Sequence, residues 1–253
     1  MKLYDHPLSP YAMKVRAILY EKGIDFEKEE IQSEAQRATL LRLNPRAEVP
    51  ALVDGEIVLY DSKVIAEYLE ETHPSPPLLP ASPGARAHCR ALELLADTQV
   101  DAVTIAYSLF KFFRPALAAE LPDALARAEA SLRAVFADLD RRLAGREYFT
   151  GAFSRADIAF APHLGACAFL GMAPGEDTPH LASWLARVNA RASIQRVTQE
   201  AVASLNQPVD APFFDTNRLH WRSDRIEQLI RIGLGPWLER ELAADRAFLP
   251  ALP

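Results

Sequence analysis

A run of prolines near the end of the first third of the chain constrains the fold more than any other feature. Five prolines fall within the ten positions from 74 to 83 of the 253-residue sequence. Because proline lacks a backbone N–H and its ring clashes with the preceding turn, no helix can continue through this stretch. We interpret it as a linker between domains. It predicts an amino-terminal domain at residues 1–79, an all-α domain at 84–206 and a carboxy-terminal extension at 207–253.

The elements before this linker are short and alternate in type. Apolar runs bounded by turn residues predict strands at residues 2–5, 26–31, 49–53 and 57–60. Capping residues predict helices that begin at Ser9, Ser33 and Asp61. The expected order is therefore βαβαββα, which defines an α/β domain.

After the linker the pattern is helical almost throughout. Apolar residues at helical spacing predict long helices at residues 84–113, 122–143, 155–171, 182–190 and 193–205. Such a set predicts a helical bundle. Residues 207–217 are rich in proline and are interpreted as irregular. The amphipathic window beyond them predicts one extra helix that folds back over the domains.

Charge and composition exclude several classes of protein. The chain has 28 Lys and Arg against 34 Asp and Glu, which gives a formal charge of −6 and argues against a nucleic-acid binder. The most apolar stretch, residues 156–173, contains Asp157 and Pro162, so it predicts a buried helix and not a membrane span. Two cysteines and no apolar leader favour a reducing, cytoplasmic location. The six histidines show no metal-ligand spacing, so no metal is expected.

Three local patterns carry candidate chemistry. Ser9 stands directly before Pro10, where it serves either as an ordinary helix N-cap or as a hydroxyl that binds a ligand. The pair Asp61-Ser62 marks another helix start, whose free N–H groups and dipole make an anion site. Pro50 opens a strand, and base rates alone favour a trans bond before it. Each pattern taken alone also has a purely structural explanation.

Taken in order, these patterns resemble the cytosolic glutathione transferase family. The likeness rests on residues 9–16, 44–52, 60–69 and 154–157, and it covers about residues 1–206. The resemblance implies a serine-type member, with a thioredoxin-like domain followed by an all-α domain. It also implies a homodimer that conjugates the thiolate of glutathione, its co-substrate, to a small electrophile without a metal.

Ser9 matches the position at which this family stabilises the thiolate. Lowering a thiol pKa from about 8.5 by about two units needs roughly 2.7 kcal/mol. One hydrogen bond to a charged group supplies about 1.5 to 3 kcal/mol, so a single hydroxyl at a helix start is sufficient. Tyr4 and Tyr11 are the competing hydroxyls. Because serine cannot form a mixed disulfide, thiol-disulfide exchange is not expected.

The resemblance also implies a binding site for the tripeptide. It implies a cis bond between Val49 and Pro50 that presents the Val49 backbone to the cysteine of glutathione, as an added strand would pair. Asp61 and Ser62 would hold the γ-glutamyl end. Glu48 departs from the family pattern, because many relatives place a neutral or cationic donor there. A carboxylate at this position would repel the glycine end of glutathione.

The helical half offers candidates for the pocket of the second substrate. Tyr107, Phe110 and Phe113 recur at helical spacing, and they either line an apolar pocket or belong to the core. Tyr11 is expected to line the cleft. Ser154 and Asp157 resemble a capping box, which gives them a structural role and no catalytic one.

Two other functions stay open at this stage. The chain can be an interaction or regulatory protein that keeps the fold with little turnover, which Glu48 and the unusual extension favour. It can also be a specialised glutathione-dependent lyase or isomerase. The sequence does not identify the electrophile, because apolar side chains serve a core and a ligand equally well.

Overall fold

The computed structural model describes residues 1–205, 222–244 and 246. Its first half has the predicted order of elements. These are β1 (Lys2–Asp5), α1 (Pro10–Glu21), β2 (Glu27–Glu30), α2 (Glu34–Leu43), β3 (Ala51–Asp54), β4 (Ile57–Tyr60) and α3 (Ser62–Thr72). The βαβαββα prediction is therefore confirmed, with strand ends displaced by at most two residues.

The four strands form one mixed sheet in the order β2-β1-β3-β4. Strand β1 is parallel to β2, whereas β3 is antiparallel to both β1 and β4. Neighbouring residues of β1 face opposite sides of the sheet, so Leu3 packs in the main core and Tyr4 in a smaller cluster. Because Ala51 pairs with Tyr60, the residues just before β3 lie beside those just after β4. The register thus brings two of the sequence motifs to one end of the sheet.

The second half is helical, as predicted. It contains α4 (Pro83–Leu95), α5 (Asp101–Ser108), α6 (Leu117–Glu120), α7 (Pro122–Leu143), α8 (Arg155–Phe169), α9 (Pro179–Asn189) and α10 (Ala192–Ser204). Two π-helical segments, Ala96–Val100 and Leu109–Phe113, interrupt the long helix expected at 84–113. The short α6 is absent from the sequence prediction. None of the helices in the described ranges is long and apolar enough to cross a bilayer.

The start of α8 is the capping box that its sequence indicates. The Asp157 carboxylate accepts a hydrogen bond from the Ser154 N–H at 2.9 Å and another from the Trp184 indole at 2.8 Å. Burial raises the pKa of this carboxyl, and its hydrogen bonds counteract part of that effect. Ser154 and Asp157 therefore anchor the core of the helical half.

Buried ion pairs join the two halves across the cleft. The Arg155 guanidinium of α8 donates to Glu93 of α4 at 2.7 and 3.1 Å, and to Glu67 of α3 at 2.9 Å. Lys14 of α1 donates to Asp97 at 2.6 Å. Residues 73–82 between the halves contain no helix, in agreement with a linker. The domain limits at 79, 84 and 206 stay a prediction.

The described part of the carboxy-terminal extension forms two helices where the sequence predicts one. They are α11 (Ser223–Arg231) and α12 (Gly235–Ala243), separated at Gly233, whose φ of 89° favours glycine. Helix α11 lies against α5, and Leu229, Leu234 and Trp237 pack in one cluster with Phe110. The described part of the extension therefore folds back onto the helical half. The irregular segment expected at 207–217 lies outside the described residues.

Candidate functional site

A cavity of about 220 Å³, which we call the polar cavity, lies at the end of the sheet where β3 begins and β4 ends. It brings together residues that are separate in the sequence. The four residues that the resemblance assigns to glutathione all line it, namely Val49, Pro50, Asp61 and Ser62. Tyr11 of α1 lines it as well.

The Val49 backbone presents a donor and an acceptor to this cavity. The Val49-Pro50 peptide bond is cis, as the resemblance implies. Within residues 1–205 and 222–244, neither the N–H nor the C=O of Val49 takes part in a hydrogen bond. The Asn44 side chain holds the preceding loop by donating to the Glu48 carbonyl at 2.7 Å. An extended peptide can therefore pair with Val49 as an added strand.

Asp61 and Ser62 form the start of α3 beside this backbone. Asp61 is the N-cap, and its carboxylate accepts a hydrogen bond from the Lys63 N–H at 2.8 Å. Ser62 is buried, whereas Asp61 is exposed to solvent. The free N–H groups of the first turn and the helix dipole favour an anion at this point.

Backbone strain is concentrated at the same cavity. Among the described residues, Ala47 with a φ of 50° and Asp61 with a φ of 71° are the two non-glycine residues with positive φ. Asp61 combines this with a ψ of 124°, outside the left-handed helical region. Such conformations cost about 1 to 3 kcal/mol each and occur preferentially at ligand sites. Ala47 lies two residues before the Val49-Pro50 bond, and Asp61 directly precedes α3.

Glu48 points its carboxylate at two guanidinium groups. It lies 3.0 Å from Arg46 Nε and accepts a hydrogen bond from Arg222 Nη2 at 2.8 Å. Two positive charges against one negative charge leave this corner of the polar cavity cationic. The repulsion expected from Glu48 is therefore offset, and one of the two compensating residues comes from the extension. Arg222 was not predicted for this cavity, because nothing in the neighbouring sequence marks it as a ligand-binding residue.

A second cavity, of about 380 Å³, opens between α1 and the helical half. We call it the apolar cavity, because most of its walls are aliphatic or aromatic. They come from α1, α5, the π-helical segment Leu109–Phe113, α8 and α10, and they include Met13, Ile105, Phe113, Phe169 and Val197. This cavity suits an apolar small molecule.

Ser9 borders the apolar cavity at the start of α1. Its Oγ accepts a hydrogen bond from the Ala12 N–H at 3.3 Å, so it is an N-cap. The hydroxyl proton is still available to donate, because accepting uses only a lone pair. Tyr11, two residues on, borders the polar cavity. The first turn of α1 thus stands between the two cavities.

The competing hydroxyls are engaged elsewhere. The Tyr11 O–H donates to the Asp97 carbonyl at 3.0 Å, and burial raises the pKa of Tyr11 far above its ordinary value. Tyr4 packs with Ile31 and Leu40 in the small cluster on the other face of the sheet. Ser9 therefore has the better position of the three for a ligand that extends from the polar to the apolar cavity.

Of the three aromatic candidates in the helical half, only Phe113 lines the apolar cavity. Tyr107 is buried in the main core and donates its O–H to the Leu170 carbonyl at 3.0 Å. Phe110 is buried against the extension. The pocket role proposed for Tyr107 and Phe110 is corrected to a core role. The π-helical segment at 109–113 alters the spacing from which they were placed on one face.

A buried polar cluster at the edge of the apolar cavity was not predicted. Asp101 accepts two hydrogen bonds from Arg225, at 2.6 and 2.9 Å, and lies 4.0 Å from His163 Nδ1. Burial would raise the pKa of Asp101, but the charge and hydrogen bonds of Arg225, together with smaller contributions from His163 and Tyr11, outweigh it and lower the pKa. Burial also lowers the pKa of His163. The described residues contain no group of His, Cys, Asp and Glu that could hold a metal ion.

Comparisons with protein families agree with this arrangement. Residues 3–77 match the model of the glutathione S-transferase N-terminal domain, and residues 102–192 match that of the C-terminal domain. The extension beyond residue 206 lies outside both matches.

Individual relatives match this chain over stretches of different length. The uncharacterized GST-like protein YibF of Escherichia coli K12 is 34% identical over 201 residues, which cover 78% of this chain and 97% of that protein. A stringent starvation protein A homolog of Coxiella burnetii is 46% identical over 92 residues, which cover 36% of this chain and 44% of the relative. The match thus spans less than half of that relative's length.

A solved structure with a ligand is also similar. It is a glutathione S-transferase of Methylobacterium radiotolerans JCM 2831 in complex with glutathione sulfonate. Its TM-score is 0.63 at 32% identity, and the alignment covers 78% of this chain and 93% of that one.

Proposed function

The chain belongs to the glutathione S-transferase family, and on that premise we propose that it transfers the glutathione thiolate to a small apolar electrophile. The observation that carries this proposal is the position of α1. Its first turn borders the polar cavity through Tyr11 and the apolar cavity through Ser9. A tripeptide held in the first cavity can extend its sulfur to an electrophile in the second.

The polar cavity holds the tripeptide in this proposal. The N–H and C=O of Val49 pair with the cysteine residue of glutathione. The start of α3 at Ser62 takes the γ-glutamyl carboxylate, and Asp61 attracts the neighbouring ammonium group. The strained backbone at Asp61 and the glutathione sulfonate bound by a relative support this assignment.

Ser9 stabilises the thiolate. Its hydroxyl donates a hydrogen bond to the sulfur, and the thiol proton is released to solvent. The thiolate then attacks the electrophilic carbon, and a carbon–sulfur bond forms as the leaving group departs with its electron pair. A hydrogen bond to a charged sulfur is worth about 1.5 to 3 kcal/mol, sufficient to populate the thiolate near neutral pH.

The electrophile is apolar in this proposal, because the walls of the second cavity are apolar. The charged pair Asp101–Arg225 at its edge is internally neutral. A cytoplasmic homodimer, typical of the family, completes the proposal. Val58, Val64 and Leu94 lie on β4, α3 and α4 and are 45 to 50% exposed, which supports a contact between two copies.

A second candidate is an interaction or regulatory protein with little turnover. Two observations favour it. Arg222 of the extension already occupies one corner of the polar cavity through its contact with Glu48. One relative is named a stringent starvation protein A homolog and not a transferase.

Binding and turnover are measured separately to test the first proposal. Glutathione is titrated calorimetrically into the wild type and Asp61→Ala, and the variant is expected to bind about tenfold more weakly. The rate of conjugation to chlorodinitrobenzene is then compared for the wild type and Ser9→Ala. We expect Ser9→Ala to be slower by about 10- to 100-fold, because the thiolate loses its donor.

Ser82→Ala is the matched control for Ser9→Ala. Ser82 also caps a helix before a proline, and its Oγ accepts from the Ala85 N–H at the same 3.3 Å. It lies in neither cavity, so its loss leaves the rate unchanged. An unchanged rate in Ser9→Ala would transfer the catalytic role to Tyr11 or Tyr4. Binding without conjugation by the wild type would favour the second candidate, and no binding would refute the first.

A further inference from the structure

Arg222 stands directly before α11, outside the part of the chain that matches the family models, and yet it lines the polar cavity. Its guanidinium lies 2.8 Å from the Glu48 carboxylate and 4.9 Å from the centre of the Tyr11 ring. We propose that Arg222 is a specificity-determining residue that binds the glycine carboxylate of glutathione. This inference rests on the proposed function.

The charges of the tripeptide require such a residue. Glutathione carries two carboxylates and one ammonium group. The start of α3 accounts for one carboxylate and Asp61 for the ammonium group. An extended tripeptide that pairs with Val49 and ends at α3 has its other end on the side of Glu48. The second carboxylate therefore needs a cation beside Glu48, where Arg46 and Arg222 lie.

Arg222 is better placed than Arg46 for this role. Its side chain is 30% exposed, against 43% for Arg46, so solvent screens its charge less. Its guanidinium carbon lies over the Tyr11 ring at 4.9 Å from the ring centre, and the Tyr11 hydroxyl is fixed by the Asp97 carbonyl. A planar guanidinium held in this way offers its remaining N–H groups to a carboxylate.

The extension fixes Arg222 before any ligand arrives. Three residues further on, Arg225 forms a buried bidentate pair with Asp101 of α5. Helix α11 also buries Leu229 against the helical half. The start of α11 is therefore held at the cavity, and little conformational freedom is lost when a carboxylate binds.

Glu48 becomes compatible with glutathione under this arrangement. It draws Arg46 and Arg222 to one side of the cavity and leaves that side with a net positive charge. Glu48 is thus a positioning residue, and its carboxylate is only 14% exposed. Glu48, which departs from the family pattern, and Arg222 of the extension then act together to bind the glycine carboxylate.

The test uses a ligand that lacks the charge in question. Glutathione and glutathione monoethyl ester, whose glycine carboxylate is esterified, are titrated calorimetrically into the full-length wild type, Arg222→Ala and Arg222→Lys. The wild type is expected to prefer glutathione. Arg222→Ala is expected to lose about 10- to 100-fold of its affinity for glutathione and to bind the ester within about twofold of the wild type. Arg222→Lys keeps the charge but not the planar fork, so its loss is smaller.

Arg231→Ala is the matched control. Arg231 lies on α11 too, but it is exposed, and among the described residues it pairs only with Glu227 on the same helix. Its affinities stay at the wild-type values. Thermal unfolding checks that every variant is folded.

Three results would overturn the inference. If Arg222→Ala binds glutathione as well as the wild type, the glycine carboxylate is held elsewhere. If it binds glutathione more tightly, Arg222 is an obstacle in the cavity and not a ligand. If both ligands weaken equally, the residue acts on the fold and not on the carboxylate. If the wild type binds neither ligand, the proposed function itself is refuted. This outcome differs from the three above, in which the wild type binds glutathione and only the role of Arg222 is overturned.

Discussion

The polar and the apolar cavity lie on either side of the first turn of α1, but they are built in different ways. Most of the polar cavity comes from two short segments, residues 44–50 and 60–63, which the register of β3 and β4 brings together. The apolar cavity draws its walls from α1 and several helices of the second half. The first depends on local backbone conformation, and the second on how distant helices pack.

The described part of the extension contributes one residue to each of these two cavities. Arg222 reaches the polar cavity and Arg225 the edge of the apolar one, from the same end of α11. The first pairs with Glu48 and the second with Asp101, 174 and 124 residues away in the chain. A segment outside the two family matches thus contributes to both sites.

The largest expected effect on stability follows from removing Asp101, whose carboxylate pairs α5 with α11. Asp101→Ala removes the carboxylate that forms the buried bidentate pair with Arg225. Breaking a buried pair in this way costs about 3 to 5 kcal/mol. We expect the free energy of unfolding in urea to fall by that amount.

The double variant Asp101→Ala/Arg225→Ala is the control for this prediction. It removes both charges, so it should cost less than the sum of the two single variants. Additive losses would show that the pair is not the contact that fixes α11.

A smaller effect is expected at the junction between the halves, which keeps the two cavities adjacent. Hydrogen bonds from Arg90, and then from Arg155, outweigh burial and lower the pKa of Glu67 to about 2. A carboxyl whose pKa is lower in the folded state stabilises the protein above its ordinary pKa of 4.5, and this stabilisation is lost as the pH falls towards about 2. Glu67→Gln should therefore be less stable than the wild type by about 1 to 2 kcal/mol at neutral pH.

Urea unfolding at a series of pH values measures this difference. It should shrink below about pH 4.5 and vanish near pH 2. Glu71→Gln, an exposed position on the same helix, should follow the wild type throughout. A constant difference at all pH values would mean that the carboxylate charge of Glu67 does not join the halves.

The smallest effect concerns the two matched caps, and it separates structure from chemistry at Ser9. Ser9→Ala and Ser82→Ala each remove one N-cap hydrogen bond, so each should lose about 1 kcal/mol of unfolding free energy. Equal losses, combined with a rate defect in Ser9→Ala alone, would mean that Ser9 has a chemical role beyond its cap. A much larger loss in Ser9→Ala would instead attribute any rate defect to the fold.

Local signals predicted the first half of the molecule well. Ser9 before α1, Ser33 before α2 and Asp61 before α3 each gave a helix start that the structure contains. The surroundings of Tyr107 and Phe110 were harder to predict. Helical spacing shows which residues share one face of a helix, but it does not show which neighbour covers that face. The π-helical segments also change that spacing, and nothing in the sequence pattern marked them.

The sequence by itself determined the order of the elements and the resemblance to the family, because caps, turns and short motifs act over a few residues. The cis bond at Pro50 followed only from that resemblance, since base rates alone favour a trans bond. The tertiary structure decided which aromatic residues line the apolar cavity. It also paired Glu48 and Asp101 with arginines of the extension. Such contacts join residues more than 100 positions apart, and they form only when the packed helices bring the two chain segments together.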